Sequence, residues 1–240
     1  AYVGYTATPF ANIFIPLAAD DLFPRDFIIN IPAPETYIGP EKVFGTSVTP
    51  DEGNEDLLPI VNTINDYESF VPTGHKKDDP KPSFEDIPES LKKAMKCFII
   101  TCAIRIARGQ GKKHNSMLIH ITRYQSWQNE IKDIVEKLFK YYKAEIEAGD
   151  AGIFEEFRRI FEEDTDTYKS YKTVTDEVLS SSFKDLDRRI RTHEWGDIEP
   201  LLYEAVQKIE VKSINGSSAD SLTYYENSEN GISVIAIGGD

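Results

Sequence analysis

Stretches of apolar and polar residues alternate along the chain in patterns that predict both helices and strands. Apolar residues recur at helical spacing from Leu91 to about Arg108, which predicts a long amphipathic helix. The run 117–121 is apolar with almost no alternation and predicts a buried strand, followed by a polar turn and a second helix over about 127–146. A strand, a polar turn and a helix in this order form the basic unit of a parallel α/β sheet.

Further strands are predicted near the two ends of the chain. Strand-forming residues at 2–6 stop at the turn Thr8-Pro9, because proline donates no backbone hydrogen bond. Alternation over 207–214 and the apolar run 232–237 each predict another strand, and the charged region between about 147 and 200 is mostly helical in pattern. The predicted fold is therefore α/β, a parallel sheet with helical insertions.

Composition changes this picture at two points. Residues 46–83 are acidic, polar and rich in proline, so we expect a linker or insertion that is mobile in part. The formal charge of -14, from 41 acidic and 27 basic residues, argues against a wholly basic nucleic-acid wrapper. A local basic groove remains compatible with an acidic body.

The cellular setting is predicted from what the sequence lacks. No apolar run is long enough to span a membrane, and no secretory signal is recognisable at the start. The two cysteines, Cys97 and Cys102, have neither the spacing of a zinc site nor that of a disulfide framework. We expect a cytoplasmic protein that contacts no membrane and has no metal site of its own.

Nucleotide hydrolysis by this chain alone is not expected. No phosphate-cradling GxxxxGK[ST] motif occurs, and no Asp-Glu pair stands at the end of an apolar strand. The polar residues that could contact a ligand instead follow the predicted strands, at the edge where α/β sheets bind their ligands.

Four stretches of the chain carry recognisable motifs. The first, Tyr2–Ala11, contains Thr6-Ala7-Thr8-Pro9. The others are Phe23–Phe27 with Tyr37–Gly39, then Ser116–His120, and finally Ile235–Asp240. In this order they resemble the Z-one domain family of superfamily-two helicase-like proteins, which occur beside DNA methyltransferases and endonucleases in restriction and defence loci. Thr6-Ala7-Thr8-Pro9 is similar to the third conserved motif of these helicases and translocases.

The resemblance implies a RecA-like sheet of the P-loop NTPase helicase type. It assigns 1–45 to the end of a first RecA-like motor domain, 46–89 to the linker or insertion, and 90–240 to a truncated second RecA-like domain with its helical insertion at about 147–200. The upstream Walker elements and a downstream Arg-Gly segment of the family are missing. We therefore expect a fragment that is inactive alone, with ATP and magnesium bound only in the full-length protein.

The resemblance also implies roles for the polar residues that follow the strands. Thr6 and Thr8 would couple the ATP site to the DNA site, with a simple hydroxyl-capped turn as the alternative. Two turns would contact the DNA backbone and a strand-end loop would approach the nucleotide. The DNA-contacting residues are His120, Thr122, Arg123, Asn215, Gly216 and Ser217, and the cofactor-binding residues are Gly238, Gly239 and Asp240.

Each of these roles has a plainer alternative. His120 could be a satisfied core histidine, and Arg123 could form a surface salt bridge. Residues 215–217 could be an ordinary turn, and 238–240 the end of a terminal strand. The basic turn Lys112-Lys113-His114 is more typical of a solvated surface than of a phosphate site.

Two functions from different classes remain open. The first is a part of an ATP-dependent, DNA-acting helicase or translocase of a restriction-modification or defence endonuclease system. The second is a non-catalytic RecA-like module whose acidic helical insert binds a partner endonuclease or methyltransferase. A small-molecule enzyme is disfavoured, because no acid-base or nucleophile constellation is present.

Overall fold

The computed structural model describes residues 27–29, 31–34, 36–45, 57–215, 222, 224, 226, 227 and 229–238. The chain divides into two compact units, Ala1–Gly39 and Pro40–Asp240. The described residues of the first unit contain no helix or strand, and all the elements below belong to the second.

A three-stranded parallel sheet forms the centre of the second unit. The strands are β1 (Asn115–Ile119), β2 (Ile209–Ile214) and β3 (Ser233–Gly238), and their spatial order is β1-β3-β2. The middle strand is buried along its whole length, which suits its continuous apolar run. Ile119 and Ile214 pair with the end of β3, at Ile237 and Gly238 respectively, so all three carboxyl ends lie at one edge.

Helices make up most of the rest of the second unit, and local sequence explains several of their ends. Gly149 adopts the left-handed conformation that stops α3, at φ 71°. Asp150 then caps α4 by accepting a 2.8 Å hydrogen bond from the backbone N–H of Ile153. The helices are α1 (Pro40–Phe44), α2 (Glu89–Ala107), α3 (Gln125–Ala148), α4 (Ala151–Glu162), α5 (Tyr171–Ser180), α6 (Trp195–Ile198) and α7 (Leu202–Gln207), with 3₁₀ turns at Phe84–Asp86 and Glu199–Leu201.

One hydrophobic core joins the sheet to α2, α3, α4 and α7, and it includes part of the proline-rich segment. Phe70, Val71 and Ile87 are buried in the same cluster as the helices and strands. Asp66 also caps α2 from this segment, because its carboxylate accepts hydrogen bonds from the backbone N–H and hydroxyl of Ser90, at 2.9 and 2.6 Å. The stretch 66–88 is thus part of the folded body.

Most of the element predictions for the second unit are confirmed. The helices over 91–108 and 127–146 and the strands over 207–214 and 232–237 are present with small shifts at their ends. The prediction for 117–121 is wrong in two respects, since β1 covers Asn115–Ile119 and Leu118 is 67 % exposed. The reason is its position, because β3 is its only neighbour in the described sheet. The result is a mixed α/β fold with a small parallel sheet.

No helix within the described residues combines the length and the apolar character needed to cross a membrane.

Candidate nucleic-acid interface

The carboxyl edge of the sheet brings together polar residues from all three strands. His120 follows β1, Asn215 follows β2, and Gly238 ends β3. The ring of His120 donates from Nδ1 to the carbonyl oxygen of Gly238 at 2.9 Å. Two predicted parts of the site, one assigned to DNA and the other to the cofactor, are therefore in direct contact. His120 is exposed, so the alternative of a core histidine is wrong.

Gly238 occupies a position where no side chain fits. A Cβ at this residue would collide with the carbonyl oxygen of Ile214 on the neighbouring strand. The close approach of β3 and β2 at this edge therefore depends on glycine. A role for Gly238 in binding a nucleotide stays a prediction.

Thr122 is buried, and its hydroxyl is occupied by protein groups. It lies 2.8 Å from Nε2 of His75, and it accepts a 3.2 Å hydrogen bond from the backbone N–H of Tyr124. The carbonyl oxygen of Thr122 accepts from the side-chain amide of Gln128 at 2.9 Å. This geometry favours a structural role, in which Thr122 shapes the turn between β1 and α3 rather than meeting a ligand itself.

Contacts of His75 and Trp127 hold the loop 72–77 against this turn. Nδ1 of His75 donates to the carbonyl oxygen of Pro72 at 3.0 Å, so in the neutral ring Nε2 accepts from the Thr122 hydroxyl. The His75 ring lies 4.4 Å from the fully buried Trp127 ring, whose Nε1 donates to the carbonyl oxygen of Lys76 at 3.1 Å. Trp127 is therefore a packing residue, and its partner loop is a feature that sequence reasoning missed.

Arg123 is the most accessible cation of the turn. Its guanidinium lies 5.2 Å from the ring of Tyr124 and donates to that residue's hydroxyl at 3.2 Å. Within the described part of the chain it forms no ion pair, so the salt-bridge alternative gains no support. A planar, exposed and pre-oriented guanidinium is the group best suited to phosphate oxygens.

Of the remaining predicted site residues, the structure describes one, Asn215. The Asn215 side chain donates to the hydroxyl of Ser213 at 3.0 Å, which holds it against the end of β2. Its role in DNA binding stays a prediction. The other predicted residues lie outside the described residues, namely Thr6, Thr8, Gly216, Ser217, Gly239 and Asp240.

A largely apolar groove of about 590 Å³ opens beside β1. Its walls are the segment 64–75, the region 88–94 at the start of α2, and residues 117–121. The groove side chains Tyr67 and Leu118 are 40 % and 67 % exposed. Exposed apolar surface of this kind indicates a place where another molecule binds.

Within the part of the chain that the structure describes, the other reactive groups do not form a second site. Burial raises the pKa of the Cys102 thiol to about 11, which keeps it protonated and unreactive near neutral pH. Among the residues that the structure describes, no group of three His, Cys, Asp or Glu side chains could hold a metal ion. Lys112 and Lys113 precede β1 and so lie at the opposite end of that strand from His120.

The fold and the site together define a mixed α/β protein whose polar residues collect at the carboxyl edge of a parallel sheet, where such sheets bind ligands. A family model described as the Z1 domain matches residues 90–240, more than half of the chain. The chain belongs to the Z1 domain family. No curated protein and no solved structure gave a significant match.

Proposed function

We propose that this chain is part of an ATP-dependent, DNA-acting motor of the superfamily-two helicase or translocase type, working in a restriction-modification or defence endonuclease system. In this proposal residues 90–240 form a RecA-like second motor domain. The observation that carries it is the hydrogen bond between His120 and Gly238 at the carboxyl edge of the sheet. This bond links two regions for which the family resemblance implies ligand contacts.

DNA would be held at this edge through its phosphates. Arg123 offers a guanidinium without a competing carboxylate among the described residues, while His120 is exposed beside it. Such groups bind phosphate oxygens without reading the base sequence. Sequence-independent binding is what a motor that moves along DNA requires.

ATP and magnesium would bind in the complete motor, between this chain and a segment that carries the Walker elements. Thr6 and Thr8 would stand beside the catalytic carboxylates of that segment and transmit the state of the phosphate to domain closure. Their hydroxyls would form one half of the site, and the segment with the Walker elements would supply the other half.

DNA-stimulated ATP turnover by the motor that contains this chain tests the proposal. Changing both Thr6 and Thr8 to alanine should lower the stimulated rate by roughly 100-fold, a loss of the size expected for coupling residues. Changing Thr101, an exposed threonine of α2, to alanine is the matched control and should leave the rate unchanged. Turnover that survives the double change would refute the role given to these threonines.

The alternative, a scaffold that binds a partner through its acidic helices, is less well supported. Several acidic residues of α4 pair with cations nearby, including Glu162 with Arg158 and Glu156 with Lys96. A surface whose charges are compensated internally offers less to a basic partner. Loss of partner capture together with unchanged ATP turnover, after charge reversal of the exposed Glu163 and Asp166, would favour the scaffold over the motor.

A further inference from the structure

We propose that the groove beside β1 binds single-stranded nucleic acid, with bases in the groove and phosphates on Lys76, Lys77 and Arg123. This inference rests on the proposed function and names the form of DNA that the motor holds. It also adds a binding surface, the loop 72–77, that lies outside the residues assigned from the sequence.

The walls of the groove suit unpaired bases. Tyr67 presents a partly exposed aromatic ring, and Leu118 and Ile121 present apolar surface from the end of β1. Bases stack on aromatic rings and apolar side chains through faces that every base possesses. A duplex hides these faces inside its own stack, so it could reach only the rim of the groove.

The rim of the groove carries exposed cations that are free to meet phosphates. Lys76 and Lys77 follow His75 directly, and both side chains are exposed. Within the described residues neither lysine forms an ion pair. The contact of His75 with Thr122, at 2.8 Å, places this loop next to Arg123, so the three cations lie on neighbouring segments.

The carboxylates of the same region are largely engaged by protein groups. Asp79 accepts a 2.7 Å hydrogen bond from the backbone N–H of Lys76, and Glu68 accepts from both the backbone N–H and the hydroxyl of Thr73. Asp78 is exposed without such a bond in the described structure. A carboxylate that accepts hydrogen bonds keeps its charge, so Glu68, Asp78 and Asp79 match Lys76, Lys77 and Arg123 in number. The binding surface therefore rests on the position of the three exposed cations, none of which forms an ion pair within the described residues, and not on a net positive charge.

The loop that carries the lysines is rigid enough to serve as a binding surface. The buried Trp127 holds it through the carbonyl oxygen of Lys76, and Lys81 fixes the following turn by donating to the carbonyl oxygens of Lys77 and Asp79 at 2.8 and 3.2 Å. A surface that is ordered before binding loses less entropy when the ligand arrives.

Fluorescence anisotropy with the 240-residue chain tests this inference. The probes are a labelled oligothymidylate of about 16 nucleotides and the same strand annealed to its complement. We expect the single strand to bind at least about 10-fold more tightly than the duplex. Lys76→Glu with Lys77→Glu should weaken binding by about 10-fold and reduce the slope of log affinity against log salt by about 1.4, because two phosphate contacts are lost.

Two matched variants separate the groove from general charge and from folding defects. Lys112→Glu with Lys113→Glu makes the same charge change before β1 and should weaken binding less than about 2-fold, since screening limits distant charges. Tyr67→Ala should weaken binding of the single strand by about 10-fold, and Tyr67→Phe, which keeps the ring, should restore it.

Equal losses from the two lysine pairs, or a duplex that binds as tightly as the single strand, would overturn the inference. If Tyr67→Ala leaves binding of the single strand unchanged while Arg123→Glu abolishes it, the groove assignment fails and the proposed DNA-acting function survives. If the unaltered chain binds neither probe, the inference and the proposed DNA contact fail together.

Discussion

At the scale of single residues, Thr122 shows how one buried hydroxyl can hold a turn in place. Replacing it with valine would leave Nε2 of His75 and the backbone N–H of Tyr124 without their partner. We expect the free energy of unfolding to fall by about 1–3 kcal/mol, the cost of unpaired buried polar groups. Urea denaturation measures this loss.

Serine at the same position is the control for Thr122. It keeps the hydroxyl and removes only a methyl group, so its cost should be about 1 kcal/mol. Equal losses for Thr122→Val and Thr122→Ser would contradict the hydrogen-bonding role assigned to this residue.

Gly238 supports a second prediction at this scale. Alanine would push a methyl group into the carbonyl oxygen of Ile214, so Gly238→Ala should destabilise the protein by about 1–3 kcal/mol. Gly196, in α6, has open space around it, and Gly196→Ala should change stability by less than about 1 kcal/mol, in the stabilising direction. Thermal unfolding of the two variants compares them directly, and similar midpoints would argue against close packing of β3 on β2.

At the scale of elements, a buried histidine joins the end of α2 to the region between α5 and α6. His193 accepts a hydrogen bond from Arg108 at 3.5 Å, while Arg108 also donates to the hydroxyl of Tyr171 at 2.6 Å. Burial lowers the pKa of His193, and the charges of Arg108 and Arg191 lower it further against an opposing effect of Asp197.

The lowered pKa of His193 predicts a loss of stability in acid. Below the ordinary value of 6.5 the unfolded chain binds a proton at this residue before the folded chain does, so stability falls with pH down to the folded pKa. The loss amounts to about 1.4 kcal/mol for each unit by which the pKa is lowered. Urea denaturation at about pH 7.5 and about pH 5.5 should therefore show a smaller loss for His193→Gln than for the unaltered chain. Identical losses would rule out this contribution.

How far the sequence predicts these elements depends on whether the deciding interactions are local. Periodicity identifies α2 and α3 because each helix repeats its own apolar face. The exposure of Leu118 depends on strand order, which no local pattern records. The loop at His75 escapes prediction for the same reason, since its partner Thr122 is 47 residues away. At the site, Arg123 and His120 are recognisable as polar residues after a strand, whereas the burial of Thr122 is not.

At the scale of the whole molecule, charge is distributed in a way that fits a DNA-binding surface on an acidic protein. The chain carries a net charge of -14, yet the carboxyl edge and its neighbouring loop present Arg123, Lys76 and Lys77. Overall repulsion of DNA and local attraction to it would together confine binding to this edge. Such binding should weaken steeply as salt is raised.

The measurement that tests the account most directly is DNA-stimulated ATP turnover by the motor that includes this chain, with Arg123 changed to glutamate. Arg158→Glu is the control, because Arg158 is exposed on α4 and pairs with Glu162 at 2.8 Å. The account predicts that Arg123→Glu lowers the stimulation by about 10-fold or more, while Arg158→Glu leaves it within about 2-fold. Equal stimulation in the two variants would contradict a DNA-acting motor that holds its substrate at this edge of the sheet.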